Sequence, residues 1–177
     1  MNPGRQPDLM QALRPVPRYE RAVREVSKML SEAGIRHALV GALAANAYRT
    51  RPRTTEDIDF LVGDEAFETH ARGFVTMRVP VIEFDGIAVD QVPLTEALRV
   101  VEEGLNHAPL SEGVPIAPVE TIVVMKLLAG RTQDLADIEA IVGSGVDREF
   151  LRGEVRKAIP ERSDALERLF DIVDRAR

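Results

Sequence analysis

The sequence predicts an α+β domain with a C-terminal helical bundle packed on or beside its sheet. Three observations predict it. Strand-length apolar blocks crowd residues 35–92. An Asp85-Gly86 pair lies between two of these blocks, the strongest short-range signal of a β-hairpin. Beyond Leu94 the apolar pattern becomes mostly helical.

Residues 1–16 read as a loose lead-in. Pro17 suits a helix start, and Tyr19, Ala22, Val23, Val26, Met29, Leu30 and Ala33 recur at helical spacing until Gly34 stops the pattern. A short strand, His37 to Gly41, is expected next, followed by an alanine-rich helix from Ala42 to about Tyr48. The run DIDFLV, Asp57 to Val62, reads as a strand closed by Gly63, with Asp64 as N-cap of a helix over EAFETHA. Phe74 to Val92 reads as one hairpin, in which Phe84 faces Ile87 and Asp90 lies opposite Val81. Helices are expected near 94–103, 119–130, 133–142, 148–159 and 164–175, with Asp147 and Ser163 as caps of the last two. The implied organisation is a lead-in over 1–16, an α/β core over 17–117 and a helical region over 118–177.

Composition excludes several classes. At 177 residues the chain is one ordinary domain, and 45% apolar with 29% charged residues is a globular balance. There is no cysteine, hence no disulfide framework, thiolate metal site or cysteine nucleophile. A net charge of -6 argues against nonspecific coating of nucleic acid, although Arg49, Arg51 and Arg53 form a local basic cluster. MNPGRQPDLM lacks the apolar core of a signal peptide, and no apolar run approaches the ~20 residues of a membrane span. A cytoplasmic protein is expected.

The chemistry concentrates in acids. Strand side chains alternate, so Asp57 and Asp59 share one face, roughly 7 Å apart at Cα, while Ile58, Phe60 and Val62 share the other. Like charges that close repel unless a cation sits between them, and oxygen-only ligands favour Mg²⁺ or Mn²⁺. Taken alone, such a pair is more often a solvated strand face. Gly41-Ala42, where strand turns into helix, offers free backbone N–H groups to an anion, or is simply a glycine required by its φ angle. Asp90 interrupts an apolar strand, which is unfavourable unless the carboxylate is paired, ligated or turned to water.

Together these features resemble the nucleotidyltransferase superfamily of the DNA polymerase β type. Gly41 to Val62 looks like its core motif, a glycine turn followed at a distance by D-x-D. Arg53, Thr55, Asp57, Ile58 and Asp59 match the R-x-T-x-D-I-D form of its small bacterial members. PVETIVVMKLLAGRTQDLADI, with Pro118, Glu120, Lys126, Arg131, Asp134 and Asp137, is similar to the helical segment of the abortive-infection and toxin–antitoxin group. The resemblance covers about residues 35–142.

It implies the nucleotidyltransferase fold, a small mixed β-sheet flanked by helices. It also implies transfer of NMP from an NTP to a hydroxyl acceptor on tRNA, protein or a small molecule. Asp57 and Asp59 would bridge two Mg²⁺ ions roughly 3.5–4 Å apart, and Asp90 would complete the acceptor-side metal and assist deprotonation. Gly41 and Ala42 would cradle the outer phosphates, and Lys126 would reach the triphosphate. ATP is a candidate donor, and a cognate antitoxin or regulator a candidate partner. Arg53, with Arg49 and Arg51, would contact phosphate or pair with Glu56 and Asp57. Lys126 without the family match reads as a snorkelling side chain, and Asp134 and Asp137 as structural partners of Arg131. His37, His70 and His107 share no metal-ligand spacing. Two departures stand out: Ala42 replaces the usual serine or glycine, and Gln133 the usual lysine. They motivate an alternative, a catalytically inactive nucleotidyltransferase-like nucleotide-binding or regulatory module.

Overall fold

The computed structural model describes residues 5–176. Its first element is helix α1 (Leu9–Leu13), whose N-terminus is capped by the Asp8 carboxylate accepting from the Gln11 N–H at 3.0 Å. Residues 9–16 are thus not the loose lead-in expected, because Leu9, Ala12, Leu13 and Val16 are all buried in the core. Residues 1–4 of that lead-in lie outside the described residues. Pro17 opens a 3₁₀ turn that feeds helix α2 (Glu20–Glu32), and Gly34 at φ 70° ends the run.

Strand β1 (His37–Val40) leads directly into the short helix α3 (Gly41–Asn46). Strands β2 (Asp57–Val62), β3 (Phe67–Thr69), β4 (Val75–Met77), β5 (Glu83–Phe84) and β6 (Ile87–Pro93) follow. The main sheet has the order β1-β2-β6-β5. β1 and β2 are antiparallel, β2 and β6 parallel, and β5 and β6 antiparallel, which makes it the small mixed sheet expected. Ile58 and Phe60 are fully buried on the core face of β2.

The chain departs from expectation between 64 and 92. Residues 64–66 form only a 3₁₀ turn, and Phe67 is already extended at φ -120°, so no helix forms over EAFETHA. Asp64 caps nothing, because Arg99 holds its carboxylate at 2.7 and 2.8 Å. β4 pairs with β3, not with the return strand β6. The Asp85-Gly86 turn does form, with φ 51° and 74°, the double positive φ of a type I′ turn, and Phe84 pairs with Ile87 as expected. That ladder has just two pairs, continued by a Val89 N–H to Ile82 C=O bond at 3.0 Å, and stops short of Val81, while on its other side Asp90 pairs with Asp59 of β2. Pro80 and the tight Val81 N–H to Val79 C=O bond at 2.8 Å bend the first arm away.

A 3₁₀ segment (Glu96–Val101) and helix α4 (Glu102–Asn106) replace the single helix expected at 94–103. A small hairpin, β7 (Leu110–Ser111) with β8 (Val114–Pro115), precedes four helices: α5 (Val119–Ala129), α6 (Thr132–Val142), α7 (Arg148–Ala158) and α8 (Ser163–Arg175). Asp147 caps α7 by accepting from the Phe150 N–H at 2.9 Å. Ser163 does not cap α8, since it is already the first helical residue and Arg162 holds the cap position. α5 is buried along most of its length between α3, the 96–101 segment and the other C-terminal helices, so it has no solvent face over Ile122–Val124. No helix of the described residues is long and apolar enough to cross a membrane.

Candidate functional site

β2 and β6 run parallel, so register partners present side chains on the same face. Asp59 is paired with Asp90, and Asp57 lies two residues away on that face. The structure therefore brings all three predicted acids together: ligand oxygens of Asp57, Asp59 and Asp90 lie within 4.8 Å of one another. Asp57 and Asp59 are half-buried and Asp90 is exposed at the mouth. Burial first, and then the charges of Asp57 and Asp90, push the Asp59 carboxyl up to about 6. Three hard oxygen donors, one of them discouraged from ionising by its neighbours, fit a divalent cation of the magnesium type. Thr55, which sequence reasoning placed only in a motif, donates its hydroxyl to Asp57 Oδ1 at 2.9 Å and orients that carboxylate.

Gly41 has φ 68°, and a Cβ built on it would sit 1.8 Å from Asp59 Oδ2. The carboxylate occupies the space where a side chain would be. This glycine is required by its backbone angle and by Asp59, before any phosphate is considered. Gly41→Ala is expected to destabilise the fold by about 1–2 kcal/mol, the usual penalty of left-handed backbone, and to displace Asp59. Differential scanning fluorimetry with and without MgCl₂ checks it: the melting temperature falls and the magnesium-induced rise shrinks. A variant with an unchanged magnesium response would show that Asp59 tolerates the intrusion.

The acids open into a cleft of about 600 Å³, lined among others by Gly41, Ala42, Met125, Lys126 and Arg131. The wall facing them is cationic but largely committed. Lys126, on α5, is buried and donates to Asp137 Oδ2 at 2.7 Å and to Asp134 Oδ1 at 3.1 Å. Asp137 is fully buried and also receives Arg49 at 2.7 Å and a two-pronged Arg53 at 2.9 and 3.0 Å. Burial alone would raise Asp137, but the hydrogen bonds of Arg53 and Lys126 hold it down at about 2. Arg131 binds Asp134 at 2.7 Å, and its own side chain is 76% exposed.

Arg53 therefore pairs with Asp137, not with Glu56 or Asp57, and the loop carrying it is less exposed than its composition suggests. The Asn46 side chain clasps that loop, accepting from the Arg53 N–H at 3.0 Å and donating to the Arg53 C=O at 2.7 Å. Arg51 alone of the three arginines is exposed along its side. Asp134 does partner Arg131 as expected, whereas Asp137 serves Arg49, Arg53 and Lys126. His37 is a core residue, hydrogen-bonded to Ser27 at 2.8 Å and to Ile35 C=O at 2.9 Å, and burial lowers its pKa.

No family model matches the chain, and no curated protein matches it. Among solved structures the chain is similar to an antigenic nucleotidyltransferase-like protein from Paracoccidioides brasiliensis, at 16% identity and a TM-score of 0.49, over 86% of this chain and 93% of that one.

Proposed function

We propose that this chain is a magnesium-dependent nucleotidyltransferase that moves a nucleoside monophosphate from an NTP to an acceptor hydroxyl. The observation that carries the reading is the Asp57–Asp59–Asp90 cluster, set on adjacent parallel strands at the floor of a nucleotide-sized cleft. Asp57, Asp59 and Asp90 would hold Mg²⁺ (or Mn²⁺), which supplies Lewis-acid stabilisation of the phosphoryl oxygens and a more acidic acceptor hydroxyl. Asp90, which is exposed, would take the acceptor proton. Thr55 keeps Asp57 oriented, and Gly41 leaves room for Asp59. Gly41 and Ala42 line the phosphate end, while Arg131 and Lys126 offset the charge of departing pyrophosphate. Arg53 contributes from behind, through Asp137, by fixing the cleft wall.

The acceptor is a hydroxyl of a tRNA, a protein or a small molecule, and ATP is one candidate donor. The motif resemblance supports a toxin-like enzyme paired with an antitoxin or regulator, acting in the cytoplasm. The inactive-module alternative draws on the same geometry, because Asp134 and Asp137 occupy Lys126 and Arg53.

One experiment separates the readings. The protein is incubated with each α-³²P NTP, MgCl₂ and cell extract, and both acceptor labelling and pyrophosphate release are followed. The enzyme reading expects both signals, lost in Asp57→Ala. Nucleotide binding without pyrophosphate release supports the inactive module, and labelling that persists in Asp57→Ala overturns the site assignment.

A further inference from the structure

A second cavity, of about 440 Å³, lies where α5 meets α7 and the segment around α4. It opens on the opposite side of α5 from the acid cluster. Glu120, Thr121 and Val124 line this cavity, while Ile122, Met125 and Lys126 line the other. The volume is in the range of small-molecule sites. Its deeper wall is apolar and tightly held, since Val101, Val119 and Val124 are all at most 3% exposed.

The charges around this cavity are unevenly satisfied. Arg5 donates to the carbonyls of Tyr48 at 3.2 Å and Ser144 at 2.8 Å. Lys157 is paired with Glu154 at 2.6 Å, and His107 lies 2.8 Å from Glu103. Glu120 is half-buried and has no salt bridge with any described residue. Burial raises its carboxyl above the ordinary range; its own backbone N–H offsets part of this, and Glu154 adds to it. Arg5 has no carboxylate partner among the described residues, but its guanidinium is held by two carbonyls, and an anion that reached it would meet the acids Glu103, Glu120 and Glu154 of the same lining. A divalent metal would find no three of these acids close enough to share it, since among the described residues only Asp57, Asp59 and Asp90 converge in that way.

We propose that this cavity binds a small organic cation, an amine or guanidinium on an apolar body, with Glu120 as its counter-ion. The cationic head replaces the partner Glu120 lacks, and the body covers the valine wall. Such a site is independent of nucleotide transfer. It occupies the first two turns of α5, whose next turn carries Lys126 to the catalytic cleft.

The test is an NMR titration of the full chain with agmatine, which has a guanidinium and an amine on a four-carbon stem. Saturable amide shifts are expected at Val101, Gly104 and Thr121, with a Kd of about 0.1–1 mM. Glu120→Gln weakens binding at least ~10-fold, the loss of one charge-assisted contact. Lys157→Gln, at a side chain 74% exposed, removes a competing positive charge without touching the core and tightens it by about 2-fold. Asp57→Asn leaves binding unchanged, so failure of the catalytic reading and failure of this one are distinguishable. Absence of saturable shifts up to about 20 mM, equal binding by Glu120→Gln, or shifts confined to the Asp57–Asp90 cluster would each overturn the proposal.

Discussion

Asp59→Asn is expected to abolish the proposed magnesium-dependent nucleotidyl transfer and, at pH 7, to raise the melting temperature of the metal-free protein. Both effects come from the same geometry. Loss of one of three carboxylates removes several kcal/mol of charge stabilisation, so turnover falls by about 10³-fold or more. Stability moves the other way, because Asp59 ionises only with difficulty beside Asp57 and Asp90. Its carboxyl stands at about 6 when folded against an ordinary 3.8. The folded state thus holds a proton that the unfolded state has released. The stabilisation is complete below about pH 4 and is lost as pH rises through 6. The asparagine has no charge to lose, and the gain at pH 7 is about 3 kcal/mol at most. For a domain of this size that is about 6–12 °C. Melting curves from pH 4 to 8 check it: wild type declines across the interval more steeply than the variant. MgCl₂ closes the gap at pH 7.5 and does less at pH 5, where Asp59 must first give up its proton. A variant that melts no higher than wild type, or that still responds fully to magnesium, would refute the account.

Asp137→Ala is expected to destabilise the fold by about 3–5 kcal/mol, the scale on which a buried ion network loses one partner. Asp137 is the shared anion of Lys126, Arg49 and Arg53. Its removal leaves Lys126 with Asp134 alone and strands Arg49, whose Nε already lacks a partner. Arg53 loses both of its carboxylate bonds, so the clasped loop detaches from α6. The melting temperature should fall by about 6–20 °C. Acid titration offers a second readout. Because Asp137 is held at about 2 against an ordinary 3.8, its contribution persists above pH 4 and disappears between about 4 and 2 in wild type only. A drop of less than about 2 °C in Asp137→Ala would mean that the network adds little stability.

What could be read from the sequence follows the range of each interaction. DIDFLV was legible because strand alternation is local: the acids and Ile58, Phe60 separate by parity alone. The Asp85-Gly86 turn was legible because its backbone angles demand those residues. Residues 64–82 fold against expectation, since EAFETHA and FVTM carry no local sign that they pair with each other. Asp90 was placed in the site through motif resemblance, while its true neighbour depends on a parallel crossover that hairpin logic does not contain. The roles of Arg49 and Arg53 are not local for a similar reason: their partner Asp137 lies 88 and 84 residues away. The glycine requirement at 41 was visible, but its cause was not, because the obstructing atom belongs to another strand.

That interlock between Gly41 and Asp59 has a consequence for how this chain can vary. The two positions form a single mutational unit, in which each residue restricts the other. A β-carbon at 41 clashes with the side chain at 59 unless that side chain is displaced or shortened, and shortening it removes a carboxylate of the acid cluster. Any lineage that fills position 41 by that route has already surrendered this metal ligand. Reversion then requires two changes in a set order, glycine first and aspartate second, which makes this loss of chemistry harder to undo than the loss of Asp57 or Asp90.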